Sequence, residues 1–154
     1  LDVRGTIKGV NMTECPVYFV ANRQSQSVTN TGGAIIWNYV GFNKGGGLDT
    51  SNGRFTAPIR GIYMFSHFVG SYSTSAAVIR YQINSSDTNA NNPLHFITGN
   101  NQNSSLPGDA TNVATVMIKL DVGDYINTIV AAGTAAFQGN GGYGGFNGFY
   151  LSSW

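Results

Sequence analysis

The feature that most constrains the fold of this chain is the shortness of its apolar segments. Each segment is rich in aromatic and β-branched residues and soon reaches Gly, Asn, Ser or Pro, which is typical of strands joined by turns. No segment combines helical periodicity with a cap and a stop signal. The segments predicted as strands are 16–23, 34–40, 61–70, 76–84, 94–98, 113–121, 124–132 and 146–152. The segments predicted as loops are 25–33, 43–53, 85–92, 99–112 and 138–145, and the predicted fold class is all-β.

The predicted strand 61–70 is apolar on both of its faces. Its apolar residues alternate between Tyr63, Phe65 and Val69 on one face and Ile62, Met64 and Phe68 on the other. In an antiparallel sandwich only one face of each sheet packs in the interior, so a second apolar face predicts a partner chain that covers it. Only 10% of the residues are charged, against about 25% in an ordinary soluble domain. We therefore expect a tight oligomer, and the alternative is that long loops cover the outer faces.

Charge, hydropathy and cysteine content argue against several classes of function. The formal net charge is +1 and the eight basic residues are scattered singly, so no nucleic-acid surface is predicted. No apolar run approaches the roughly 20 residues of a membrane-spanning helix, so no membrane insertion is expected. The single cysteine, Cys15, allows no intrachain disulfide framework. It is either a small buried side chain or a link between chains.

No group of residues has the pattern of a catalytic or nucleotide-binding site. Residues 139–144 have the spacing G-x-G-x-x-G, but a predicted strand follows them where a nucleotide fold needs a helix. His67 and His95 lie in separate predicted strands, and we expect packed or edge positions for both. Asp121 and Asp124 flank a tight turn, where Asp favours local backbone hydrogen bonds. We do not expect an enzyme.

Three Asn-x-Ser/Thr motifs bear on localisation. They begin at Asn11, Asn84 and Asn103. Such motifs are glycosylation acceptors in secreted proteins, but they also arise by chance in a chain this rich in Asn and Ser. They are consistent with secretion and do not establish it.

The segment from Trp37 to Phe65 resembles the signature of the globular C1q domain. The residues that keep the family's spacing are Asn43, Leu48, Phe55, Gly61, Tyr63 and Phe65. Two positions depart from it, because Trp37 stands where Phe is usual and His67 stands where Phe or Tyr is usual. The resemblance continues in a strand-turn-strand element with Gly123 and Asp124 and in a closing strand with Phe146, Gly148 and Phe149. The tumour necrosis factor family resembles the last two elements more loosely.

The resemblance implies a C1q/TNF-like jelly-roll sandwich of about ten antiparallel strands that assembles as a homotrimer. It implies an N-terminal extension at residues 1–15, a globular C1q domain at 16–154, and a secreted, extracellular protein. Among the signature residues, Gly53 and Gly61 suit turns, and the aromatic residues supply the core or the subunit interface. These residues identify the fold and do not identify the ligand.

Three functions are compatible with the resemblance. The first is a lectin-like pattern-recognition module of innate immunity, whose trimer holds carbohydrate or another microbial-surface ligand by avidity. Loops of Asn, Ser, Gly and Tyr offer hydrogen bonds and aromatic platforms that suit neutral sugars. The candidate ligand-binding residues are Tyr72, Asn100, Asn101, Gln102, Asn103, Asn140 and Tyr143. The alternatives are a structural or adhesive trimer of the extracellular matrix and a secreted receptor ligand of the cerebellin or cytokine kind.

No cofactor is predicted from the residues themselves, and the resemblance leaves calcium open. Several C1q-like trimers hold calcium with loop carboxylates near their apex. This chain has Ser75 and Asn84 where the calcium-binding relatives place Asp, which weakens the case for calcium. Asp87 and Asp109 remain as loop carboxylates that a trimer would present three times.

Overall fold

The described part of the chain consists of β-strands and their connections. This computed structural model describes residues 15–23, 27–71, 77–84, 86–87, 110–137 and 144–154. Its strands are β1 (Tyr18–Asn22), β2 (Ser27–Asn30), β3 (Tyr39–Lys44), β4 (Leu48–Asp49), β5 (Arg54–Thr56), β6 (Gly61–Ser71), β7 (Ala77–Ile83), β8 (Ser86–Asp87), β9 (Ala110–Leu120), β10 (Tyr125–Phe137) and β11 (Gly144–Ser152). Within these ranges no helix is long and apolar enough to cross a membrane.

The strands form two antiparallel sheets. One has five strands in the order β3-β1-β11-β6-β9, and the other has six in the order β4-β5-β10-β7-β8 with β2 paired to β10. The first and last strands, β1 and β11, lie side by side, and consecutive strands repeatedly belong to opposite sheets. This arrangement confirms the predicted all-β jelly-roll sandwich.

Aromatic rings fill the space between the two sheets. The ring of Phe19 lies 5.2 Å from that of Phe55 and 4.9 Å from that of Phe146, and Phe55 lies 5.2 Å from Phe65, between ring centroids. Aromatic pairs of this kind add about 0.5–1.5 kcal/mol beyond the burial of their area. The signature aromatic residues that are buried in this core are Trp37, Phe55, Tyr63, Phe65 and Phe146.

The polar atoms of the Trp37 and Tyr63 rings have hydrogen-bond partners. Trp37 Nε1 donates to Thr128 Oγ1 at 3.0 Å, and the Tyr63 hydroxyl donates to the Ile59 carbonyl at 2.6 Å. Because a buried polar group without a partner costs about 1–3 kcal/mol, these bonds allow large amphipathic rings inside the sandwich. Trp37 therefore replaces the family's usual Phe without leaving an unpaired indole N–H.

The predicted strand at residues 34–40 is wrong over most of its length. Ala34 forms an isolated bridge with Ile129 in the six-stranded sheet, and β3 begins only at Tyr39 in the other sheet. The chain crosses from one sheet to the other between these points, and Ile35 and Trp37 are buried in the core on the way. Their alternation with less buried residues comes from this crossing and not from a strand ladder.

Several predicted loops contain short strands. Residues 25–33 include β2, residues 43–53 include β4, and residues 85–92 include β8. The Ser-Val-Thr-Asn sequence of β2 has little apolar character, and its strand conformation comes from pairing with residues 134–137 of β10. The predicted strand at 94–98, which contains His95, lies outside the described residues.

Two signature glycines have different roles. Gly53 has a φ of +72° in the turn before β5, so the predicted turn is confirmed. The prediction for Gly61 is wrong, because Gly61 is the first residue of β6 and has no positive φ. A Cβ at Gly61 would overlap the ring of Tyr150, so this position needs glycine for close packing rather than for a turn.

Candidate binding surfaces

The outward side of the five-stranded sheet carries a continuous apolar row. Tyr18 is opposite Phe149, Phe149 is opposite Met64, and Met64 is opposite Met117 in the strand registers. Directly opposed residues share one face of a sheet, so the row crosses four neighbouring strands. We call these four residues the apolar row.

The neighbouring positions on this face extend the apolar surface. Exposed large side chains on this face include Phe42 at 51%, Phe149 at 37%, Val113 at 59% and Met117 at 64%. Between the apolar row and the pair formed by Phe68 and Val113 lies a polar strip, in which Thr115 Oγ1 is 3.2 Å from Ser66 Oγ. The second apolar face predicted for residues 61–70 is therefore present and partly exposed in the protomer.

Several strand ends meet at one end of the sandwich. Ser71, the last residue of β6, pairs with Ala110, the first residue of β9, and Gly144 of β11 pairs with Val69 nearby. At the same end β7 begins beside Gly133 of β10. The described residues on either side of segments 72–76 and 138–143 therefore lie at this end. The predicted ligand-binding residues themselves, Tyr72, Asn100, Asn101, Gln102, Asn103, Asn140 and Tyr143, lie outside the described residues.

The predicted turn of Asp121 and Asp124 lies at the opposite end of the sandwich. Asp124 accepts a hydrogen bond from the Asp121 backbone N–H at 2.8 Å and another from Asn84 Nδ2 at 2.7 Å. Gly123 has a φ of +90° between the two Asp residues. The signature pair of Gly123 and Asp124 thus closes a turn, and the structural interpretation of these carboxylates is confirmed.

Asn84 takes part in the same structural unit. The side-chain Oδ1 of Asn84 accepts a hydrogen bond from the Tyr125 backbone N–H at 2.9 Å. The backbone N–H of Asn84 donates to the Tyr125 carbonyl at 3.1 Å. The side chain thereby continues the β7–β10 pairing past Ile83. Within the described ranges no group of three or more His, Cys, Asp or Glu side chains could hold a metal ion. Asp87 lies in β8 rather than in a loop, and Ser75 and Asp109 lie outside those ranges.

His67 is buried on the inward side of β6. Its ring makes an edge contact with Tyr81 at 4.7 Å between centroids. Burial disfavours the charged imidazolium and lowers the pKa of His67 from 6.5 to about 4. Burial also raises the pKa of Tyr81, whose hydroxyl donates to the Ala114 carbonyl at 3.0 Å. The expectation of a packed histidine is confirmed.

The side chains of Cys15 and Asn43 each contact two backbone groups. The half-buried Cys15 thiol lies 3.2 Å from the carbonyl oxygens of both Val17 and Tyr150 and forms no disulfide. Asn43 donates to the Leu48 carbonyl at 2.8 Å and accepts from the Leu48 N–H at 3.2 Å. The spacing of Asn43 and Leu48 in the family signature therefore corresponds to two hydrogen bonds that close the loop between these residues.

Two cation–ring contacts follow from no pattern in the sequence. Arg60 Cζ lies 3.8 Å from the centroid of the Trp154 ring, and Lys119 Nζ lies 4.6 Å from it. These residues are far apart along the chain, so no local motif marks them. The pairing of Ile62 with Lys119 and with Ser152 brings their strands together.

These sheets and the apolar row define a jelly-roll domain of the C1q/TNF type. A family model described as the C1q domain matches residues 17–151, and the chain belongs to this family. Domains of the C1q/TNF family form trimers, are typically extracellular, and are generally binding or signalling modules rather than enzymes.

Solved structures are similar to this chain in fold. The globular domain of the zebrafish complement 1qA protein has a TM-score of 0.71 and 18% identity, and the match covers 90% of this chain and 99% of that one. Murine APRIL at pH 5.0 has a TM-score of 0.60 and 13% identity over 88% and 98% of the two chains. Eiger TNF from S. frugiperda has a TM-score of 0.57 and 11% identity over 90% and 92%.

Proposed function

We propose that this chain is a secreted, homotrimeric binding module that recognises carbohydrate or another microbial-surface ligand in innate immunity, in the manner of a lectin. The observation that carries the proposal is the apolar row on the outward side of the five-stranded sheet. Family membership supplies the general class, and the row supplies the reason for this chain to associate. A trimer then presents one weak site three times.

The apolar row supports association because it places large apolar groups in water in the isolated protomer. Met117 is 64% exposed, and the adjacent Phe149 and Met64 connect it to Tyr18 across the sheet. Burial of apolar surface contributes roughly 25 cal/mol per Å². A contiguous exposed patch of this kind is typical of a protein interface. A second and third copy of the chain are the partners that the family's trimers suggest.

The proposed ligand site is the end of the sandwich at which β6, β9 and β11 meet. Tyr72 directly follows β6 and Tyr143 directly precedes β11. The segments that follow β6 and precede β11 along the chain contain Asn, Ser, Gly and Tyr, whose amides, hydroxyls and rings suit neutral sugars. Three copies of a millimolar site on one trimer can raise the overall affinity by about 10²–10⁴ when the ligand spans them.

An array of neutral glycans and microbial polysaccharides tests the proposal. We expect the wild-type trimer to bind a defined subset of these ligands. Tyr143→Ala is expected to weaken that binding by roughly tenfold, because the loss of an aromatic platform costs about 1–2 kcal/mol and is repeated in each protomer. Trp154→Ala is the matched control, since it removes an exposed aromatic ring at the opposite end of the sandwich.

The array also separates the alternatives. An intact trimer that binds no glycan would contradict the lectin-like function and favour a matrix or receptor-ligand role. Equal losses in the Tyr143→Ala and Trp154→Ala proteins would contradict the proposed location. Each array is run with and without a calcium chelator, which shows whether binding needs calcium.

A further inference from the structure

Three polar residues on the outward side of the five-stranded sheet lie between two apolar bands. Thr115 of β9 is opposite Ser66 of β6, and Ser66 is opposite Asn147 of β11. Directly opposed residues share one face of a sheet, so these side chains cross three neighbouring strands at one level. We call these three residues the polar strip.

Apolar side chains border the polar strip on both of its sides. Two residues along each strand in one direction lies the apolar row, and two residues in the other direction lie Val113 and Phe68. The third position there is Gly145, where a Cβ would overlap the Phe68 ring, so this ring lies against the glycine. Positions two residues apart on a strand are separated by about 6–7 Å. A partner that covers both apolar bands therefore also covers the polar strip.

The polar strip offers more hydrogen-bonding groups than its own contacts use. Thr115 Oγ1 lies 3.2 Å from Ser66 Oγ, so one hydroxyl donates to the other. The remaining hydroxyl hydrogen needs a different acceptor, and the Asn147 amide adds two donors and an acceptor oxygen. Thr115 is exposed, and Ser66 and Asn147 are half-buried, so water can reach these groups in the isolated protomer. Covering the strip removes that water.

Covering the polar strip is unfavourable unless the partner supplies matching groups. A buried hydroxyl or amide without a hydrogen-bond partner loses its bonds to water and gains none in return. A wholly apolar partner surface therefore suits the two apolar bands and not the strip between them. The partner has to present hydroxyl or amide groups at the level of the strip.

Further copies of this chain meet that requirement. Rotation about a threefold axis keeps equivalent residues of the three copies at the same level along the axis. The polar strips of the copies then lie at one level, and their apolar bands lie at the levels on either side. Hydroxyl and amide groups both donate and accept hydrogen bonds, so one strip can bond to another.

We infer that the polar strip determines the specificity of the trimer contact: it hydrogen-bonds to the strips of the neighbouring copies and disfavours any chain that lacks one. The apolar bands stabilise the contact, and the strip selects its register and its partners. A single buried Asn in a coiled-coil seam acts in this way, because it fixes register and assembly state at a cost in stability. The inference rests on the homotrimer of the proposed function and not on the glycan site.

Native mass spectrometry of mixed trimers tests this inference. Wild-type chain with an affinity tag is co-expressed in equal amount with an untagged full-length variant, so each trimer composition has its own mass. The test variants are Asn147→Leu and Thr115→Val, which remove polar groups and nearly keep the side-chain size. The matched control is Thr56→Val, which makes the same change at an exposed position of β5 in the other sheet. Tagged and untagged wild type together give the statistical pattern, in which mixed trimers outnumber pure trimers by about three to one.

We expect the ratio of mixed to pure trimers to fall about tenfold with Asn147→Leu and about threefold with Thr115→Val, because mixed trimers bury wild-type strip groups without partners. Thr56→Val should follow the statistical pattern. Statistical mixing by Asn147→Leu, or equal departures in Thr115→Val and Thr56→Val, would overturn the inference, and Thr115→Val alone decides if Asn147→Leu does not fold. A wild-type chain that stays a protomer would overturn the inference together with the trimer. None of these results bears on neutral-glycan binding, so the glycan site and the polar strip fail separately.

Discussion

The two faces of the five-stranded sheet have similar apolar character and different surroundings. On the inward side, Phe65 and Phe146 are fully buried with a ring distance of 5.9 Å. On the outward side, Phe149 and Met64 belong to the apolar row and remain partly exposed. The same two strands, β6 and β11, therefore bear both sets of residues.

The two faces contribute to different properties, one to the stability of the protomer and the other to assembly. The inward face is packed against the other sheet and stabilises the protomer. The outward face contributes little to the protomer, because water still contacts much of it, and it gains stability only when another chain covers it. Substitutions on the inward face should therefore affect unfolding, and substitutions on the outward face should affect assembly.

The largest expected effect is that of a substitution on the inward face. Phe65→Ala should lower the free energy of unfolding by about 3–5 kcal/mol, since it removes a buried ring that contacts Phe19, Phe55 and Phe146. Urea denaturation followed by circular dichroism measures this loss. Thr115→Ala, on the outward side of β9, is the control and should change the free energy by less than about 0.5 kcal/mol. Comparable losses in both variants would contradict the assignment of the faces.

The second effect concerns the pH dependence of the inward face. The pKa of His67 is about 4 in the folded protein and 6.5 in the unfolded chain, so the unfolded chain binds more protons between these values. Stability from this group is complete above pH 6.5 and is lost as the pH falls toward 4. Between about pH 7 and pH 5 the loss is about 2 kcal/mol.

His67→Phe removes this titration and keeps a ring of the type that the resemblance expects at the position. The variant should lose about 2 kcal/mol less than the wild type on going from about pH 7 to pH 5, as measured by urea denaturation at both values. Titration of carboxylates affects both proteins and cancels in the comparison. An identical pH dependence in the two proteins would show that His67 is not the group responsible.

The smallest expected effect on the fold of the protomer comes from the outward face. Met117→Glu should disperse the trimer to the protomer mass of 16.4 kDa, because burying an unpaired carboxylate at an interface is costly. The strand signal in circular dichroism should remain unchanged. Met117→Leu preserves the apolar surface and is expected to stay assembled. A trimer that persists in Met117→Glu would show that this face is not the contact surface.

The local sequence predicts the strands whose residues alternate regularly and fails where burial has another cause. Strand β6 is predicted within one residue because its apolar alternation and its register on β9 agree. Residues 34–38 fail because Ile35 and Trp37 are buried while the chain crosses between sheets. Strand β2 fails because long-range pairing with β10 outweighs a polar sequence.

The same distinction applies to the candidate sites. The outward apolar face could be predicted because all of its β6 residues belong to one alternating run. The contacts of Arg60 and Lys119 with the Trp154 ring could not, because these residues come together only through the register of three strands. The hydrogen bond between Asn84 and Asp124 likewise joins residues 40 positions apart, at the end of one predicted strand and the start of another.

Sedimentation equilibrium of the wild-type protein at micromolar concentration tests the central claim most directly. We expect a mass three times the 16.4 kDa of the protomer, because the apolar row is covered only by association. A folded species that sediments at 16.4 kDa would contradict the account, since the outward face of the five-stranded sheet would then remain exposed to water.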